Sequence, residues 1–109
     1  MAIWLGNALS LSMLPSGGAQ LVCLPLDLAE AQILSQQAES VVGHADTAAL
    51  FASLLGREVA VQRRSLALEA GDVLLVGQYS GPRLPEGAVA LPTGAELRWW
   101  RVEVLAPTP

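Results

Sequence analysis

The chain has 109 residues, 52% of them apolar and 15% charged, with a formal net charge of −4. That length predicts one compact domain with a modest core, and the composition excludes a disordered chain. The acidic balance argues against a general nucleic-acid binder, which is normally basic, but leaves room for a small anionic ligand held by a few placed arginines. No uninterrupted apolar stretch is long enough to span a bilayer, and the apolar surplus suggests surface covered by a second copy.

The opening "MAIWLGNALSLSML" lacks Lys and Arg at its start and is interrupted by Gly6, Asn7 and Ser10. It reads as a core strand over Ala2 to Leu5 followed by a polar turn, not as a signal peptide. "PSGG" is a loop of four turn formers, and "AQLVCLP" reads as a second strand stopped by Pro25. Cys23, inside that strand, has no neighbouring His or Cys at metal-ligand spacing. A buried thiol in a reducing cytoplasm is its expected state. "DLAEAQILSQQAE" starts with Asp27 and carries Glu30 three residues later, a capping-box pattern, with Leu28, Ala31, Ile33 and Leu34 as its apolar stripe.

A second helix is predicted to start near His44, with Asp46 or Thr47 as cap or first-turn residue. Leu50, Phe51, Leu54 and Leu55 would be its buried stripe and Gly56 its stop. "EVAVQ" and "RSLALEA" alternate like strands. Gly71-Asp72 is a turn, and "VLLVGQY" reads as a nearly continuous apolar central strand. "SGPRLPEG" is a loop, "PTGAEL" a brief helical turn, and "RWWRVEVL" a closing strand that points Trp99 and Trp100 to opposite faces. The expected fold class is α/β in the α+β sense: a single mixed β-sheet flanked by α-helices, homodimeric, with one domain over residues 1–106 and a disordered tail over 107–109.

Three polar places interrupt the apolar chain, "GNALS", "GHADT" and "GPRLPEG", each at the end of an element, where loops assemble sites. His44 is the single histidine. At a helix start, free N–H groups favour an anion, Gly43 allows close backbone approach, and an imidazole titrating near neutrality can give a proton to a leaving oxygen. A solvated histidine beside a cap fits the same residues. Arg83 and Glu86, held by two prolines, could present a guanidinium fork to phosphate and a carboxylate to the imidazole, or simply pair with each other. Asn7 and Ser10 could bond a ligand or only their own turn. Arg63 and Arg64 face opposite ways and could lend positive potential or form a solvated face. Trp99 and Trp100 are core or dimer contacts, or a stacking platform for a base.

Taken in order, "GNALSLSML", "GHADTAALFASLLG", an arginine-bearing strand start, a "GD" turn, "GQYS" and "RLPEG" resemble the viral ring nucleases. These form the type III anti-CRISPR family first seen as a small conserved protein of archaeal viruses, with relatives in phages and cellular CRISPR loci. The likeness runs from Met1 to about Leu105. It implies a cytoplasmic, metal-independent enzyme without cofactor: a homodimer that binds cyclic tetra-adenylate across its two-fold axis and cuts it to linear di-adenylates. DNA and membrane are not among the implied partners. It further implies His44 as general acid, Arg83 and Glu86 as catalytic partners, and Asn7, Ser10, Gly43, Arg63 and Gln78 as ligand-binding positions. "SGPRLPEG" is one residue longer before its arginine than in close relatives. A non-catalytic module that sequesters cyclic oligonucleotides, and a small dimeric structural protein with an incidental histidine, remain the alternatives.

Overall fold

The computed structural model describes residues 1–107; Thr108 and Pro109, part of the expected tail, lie outside the described residues. The elements in chain order are β1 (Ile3–Gly6), a 3₁₀ turn (Leu11–Met13), β2 (Gln20–Leu26), α1 (Leu28–Ser35), β3 (Glu39–Ser40), α2 (Ala45–Leu55), β4 (Val73–Ser80) and β5 (Glu96–Leu105). They build one five-stranded mixed sheet in the order β2-β5-β4-β1-β3. β1 is parallel to β3 and β4, while β5 is antiparallel to both β4 and β2. Every strand except β5 therefore runs the same way, and the loops after β1, β3 and β4 all leave from one rim.

Strand alternation sorts the apolar residues onto two faces. Leu5, Leu75 and Trp99 meet Ala31 of α1 and Ala48, Phe51 and Leu55 of α2 on the helix-bearing face. Leu74, Val76, Val102 and Val104 form the second buried layer. Among the described residues no α-helix covers that layer; Leu66, Leu68 and Leu14 pack over it from irregular chain and Met13 from the 3₁₀ turn. The helices cover one face of β4 and the chain around Leu66, Leu68 and Met13 the other, so Val73–Gly77 are buried on both faces and need no alternation. Phe51 and Trp99 pack with ring centroids 4.9 Å apart at 57°, a tilted pair worth about 0.5–1.5 kcal/mol beyond its buried area.

α1 begins with the expected capping box: Glu30 N–H donates to the Asp27 carboxylate at 2.8 Å, and Asp27 N–H donates to Glu30 Oε1 at 3.0 Å. α2 ends at Gly56, whose φ of 69° is left-handed, and its N–H bonds the Ala52 carbonyl.

Several expectations are corrected. Pro25 sits inside β2 instead of ending it, because β2 is an edge strand that has a partner on one side only. Cys23 is exposed, not buried, for the same reason. "EVAVQ" and "RSLALEA" form no strands. Their alternation does bury Val59, Leu66 and Leu68, but the ties to the rest of the chain are single bonds such as Gln62 N–H to the Val42 carbonyl and Leu68 N–H to the Met13 carbonyl. α1 stops at Ser35, freeing Glu39 and Ser40 to pair with β1; of the expected stripe Ala31 is buried as expected, Leu28 and Ile33 are exposed, and Ser35 is buried as well. "PTGAEL" is a turn leading directly into β5, not helical.

Candidate functional site at the strand-end rim

Register defines the shape of the rim. β1 ends at Gly6 beside Val76, but β4 continues for Gly77–Ser80, paired with Glu96–Trp99. At about 3.3 Å per residue, this β4–β5 arm stands roughly 13 Å above the end of β1. On the other side of β1 the chain also continues upward: Val41 N–H bonds the Leu5 carbonyl at 2.8 Å, and Val42 to His44 follow. The end of β1 is thus a notch between two taller flanks, separated by two strand spacings, about 10 Å. Asn7 leaves from its floor. In a sheet of parallel strands, ligands sit in such crevices beyond the carboxyl ends.

His44 is the N-cap of α2, with extended backbone angles and its carbonyl accepting from Ala48 N–H at 2.9 Å. Its side chain makes no capping bond and is exposed, so the imidazole is not engaged in closing the helix. Asp46 occupies the first turn of α2, a carboxylate that opposes an anion there and that incoming arginines must offset.

Arg63 supplies one such charge. Its Nε donates to the Gly43 carbonyl at 2.8 Å, one residue before His44. Gly43 eases this approach, since a Cβ there would lie 3.3 Å from Arg63 Cγ, a tight contact that the arginine would have to yield to. Arg64 faces the other way, lying 4.8 Å from the centroid of the Trp4 ring and 3.6 Å from Glu39. It braces the β1–β3 edge. Arg98 and Arg101 pair with Glu96 and Glu103 along β5, and Arg57 donates to the Ser35 and Ala38 carbonyls.

Arg83 and Glu86 ride the exposed loop beyond the β4–β5 arm, and they form no ion pair with each other among the described residues. That loop has a tight neck. Gly81 adopts φ 130°, and a Cβ on it would fall 2.7 Å from Ala95 Cα; only glycine fits where the two sides of the loop come this close. Tyr79 donates its hydroxyl to the Pro82 carbonyl. Ser53 of α2 donates its hydroxyl to the Val89 carbonyl at 2.6 Å, folding the far side of the loop back over the helix. Gly81 and Pro82 therefore form this neck.

The first loop divides. Ser10 caps the 3₁₀ turn, its Oγ accepting from Ser12 N–H at 3.3 Å, the local role weighed from sequence. Asn7 instead lines a cleft of about 380 Å³ with Ala8, Leu9, Cys23, Val76, Gln78, Trp100 and Val102. This cleft opens on the helix-free face, directly beneath the rim. The fold thus unites Asn7 with Gln78, and Gly43 and His44 with Arg63. It sets the loop of Arg83 and Glu86 on the opposite flank of the notch, and neither of these nor His44 lines the cleft. Trp100, weighed from sequence as a core or dimer contact or a stacking platform, joins the cleft, and so does Cys23, which the sequence had not assigned to a site. Pro25 was the available signal, because a proline in a strand marks an edge whose neighbours are open.

Among the described residues no three His, Cys, Asp or Glu side chains are grouped to hold a metal ion, and no helix is long and apolar enough to cross a membrane.

A small mixed sheet, two helices on one face and a notched rim define the class, and residues 3–103 match the family described as STIV B116-like; the chain belongs to that family. Its fold is similar to that of B116 of Sulfolobus turreted icosahedral virus, a viral protein, with a TM-score of 0.78 and 22% identity over 94% of this chain and 99% of that one. No curated protein matches the sequence.

Proposed function

We propose that this protein is a metal-independent ring nuclease that binds cyclic tetra-adenylate across a homodimer and cuts it to linear di-adenylates, switching off type III CRISPR signalling. The observation that carries the reading is the register of the rim. It puts His44 with Arg63 on one side of a roughly 10 Å notch, the loop of Arg83 and Glu86 on the other, and Asn7 on its floor.

RNA supplies its own nucleophile. A ribose 2′-oxygen attacks the adjacent phosphorus, the bond from phosphorus to the 5′-oxygen breaks, and a 2′,3′-cyclic phosphate and a 5′-hydroxyl result. The 2′-hydroxyl proton leaves to Glu86 or water. The departing 5′-oxygen takes a proton from the His44 imidazolium, which avoids release of an alkoxide and contributes about 10²–10⁴-fold. Arg63 and Arg83 offset the charge that builds on the phosphorane and the standing charge of Asp46. A ring with two-fold symmetry suits a two-fold dimer, in which each copy of His44 serves one of two opposite phosphates.

The test is incubation of the purified protein with radiolabelled cyclic tetra-adenylate in excess EDTA. Linear di-adenylates ending in 2′,3′-cyclic phosphate are expected. An intact ring that is nonetheless bound supports a sequestering module instead, and a ring neither bound nor cut leaves a structural protein.

A further inference from the structure

We infer that a cleft between the start of α1 and the loop joining β4 to β5 is a ligand site apart from the notch. It takes a neutral, largely apolar molecule, and its occupant restrains that loop. The cleft holds about 600 Å³, within the range of small-ligand sites. Leu26 at the end of β2 and Leu97 and Trp99 at the start of β5 share the helix-bearing face of the sheet. Leu28 of α1, Leu54 of α2 and Leu91 of the loop complete the apolar lining. These walls do not close on one another: Leu28 is 42% exposed and Leu91 39%. A molecule seated between them removes that apolar surface from water, which drives its entry.

Charge decides the class of ligand. Asp27 and Arg98 border the cleft, and both are already engaged. The Asp27 carboxylate accepts the Glu30 N–H at 2.8 Å as the cap of α1. Arg98 alternates to the face of β5 opposite Leu97 and Trp99, and its Nε donates to Glu96 at 2.9 Å. Neither offers an unspent charge to an ion, and an ionic group carried in among the leucines would lose its hydration without gaining a partner. A neutral apolar molecule meets no such cost.

The loop itself is one wall. Ser53 holds it at the Val89 carbonyl, and Leu91, two residues further on, lines the cleft. A ligand that touches Leu91 binds the loop in this position and so favours this position over others. The same loop carries Arg83 and Glu86. Pocket and restraint stand on these contacts and not on the nuclease reading.

The test titrates the native full chain with phenylnaphthylamine, a neutral apolar fluorophore, and with anilinonaphthalene sulfonate, the same skeleton bearing an anionic group. Binding is read from probe emission sensitised by tryptophan, since Trp99 lines the cleft. Trypsin cleavage after Arg83 is timed with and without the neutral probe. Saturable binding of the neutral probe, weaker binding of the sulfonate and several-fold slower cleavage after Arg83 are expected. Leu91→Ala should weaken the neutral probe several-fold and remove its effect on cleavage. Val89→Ala, at an exposed side chain that does not line the cleft, should change neither.

A neutral probe that does not saturate, or that binds Leu91→Ala as tightly as wild type, overturns the pocket. Equal or tighter binding of the sulfonate overturns the neutral class. Saturable binding that leaves cleavage after Arg83 unchanged overturns the restraint. Binding lost equally in Val89→Ala places the probe on the exposed loop and overturns the pocket. Binding that vanishes as the protein is concentrated means that a second copy covers the cleft, and overturns it too. None of these readouts uses ring cleavage, so their failure leaves the nuclease reading standing, and a protein that cuts no ring leaves the pocket standing.

Discussion

Replacing Gly77 with alanine probes the packing that holds the β4–β5 arm upright over the end of β1. Gly77 faces the helix-bearing side of β4, opposite Trp99 in the β5 ladder. A Cβ added there would lie 2.5 Å from Phe51 Cζ and 2.7 Å from Trp99 Cζ3, separations that real Cβ atoms do not adopt. Both rings are buried, so neither can swing into solvent. The overpacking should destabilise the fold by about 1–3 kcal/mol. For a domain near 100 residues that is a fall in Tm of roughly 4–24 °C, at about 4–8 °C for each kcal/mol. Urea and thermal denaturation followed by tryptophan fluorescence and circular dichroism give both quantities. Because the main contact is with the Phe51 ring, Phe51→Leu in the Gly77→Ala background should recover part of the loss, a coupling of about 0.5–3 kcal/mol. A Gly77→Ala protein as stable as wild type, or two substitutions that add in full, would refute the packing described here.

Other outcomes follow from single contacts. Asp27→Ala removes the reciprocal cap of α1 and should lower stability by about 0.5–2 kcal/mol, read from the urea midpoint; Glu30→Ala should cost less. Ser53→Ala frees the loop held at Val89, so trypsin should cut after Arg83 several-fold faster while the global Tm changes little. An unchanged cleavage rate would mean that the bond does not restrain the loop. Under the nuclease reading, Glu86→Ala should slow ring cleavage with a modest loss of affinity, and Arg83→Ala should reduce turnover more than binding. Single-turnover kinetics beside equilibrium binding separate the two effects, and a rate equal to wild type removes that residue from the mechanism.

The parts legible in the sequence were those with short-range physical causes. The Asp27–Glu30 box, the Gly56 stop, the Gly71-Asp72 turn and the buried run of β4 each depend on neighbours within a few residues, and each was found where expected. The helix start at His44 was legible for the same reason. What escaped depended on partners distant in sequence. Glu39 and Ser40 are a strand only because β1 lies beside them, and no two-residue pattern announces that. Residues 57–70 alternate like strands, yet the chain runs past Val42 and Met13 with one bond at each instead of a ladder.

The site shows the same division. Each polar loop could be picked out by its glycine and its position at an element end, but the notch exists because β1 is four residues shorter at this rim than its neighbour β4. That difference is a matter of register. Asn7 and Gln78 are 71 positions apart in the chain and line one cleft, and Trp100 and Cys23 join them only through the β2–β5–β4 pairing.

The most direct measurement of the central claim is single-turnover cleavage of cyclic tetra-adenylate by His44→Ala, with ring affinity determined on the same protein. The account predicts a rate lower by about 10²–10⁴-fold and an affinity within a few-fold of wild type, since the imidazole is exposed and caps nothing. Cleavage at the wild-type rate would contradict it, because His44 is the single histidine of the chain and the group assigned as the acid.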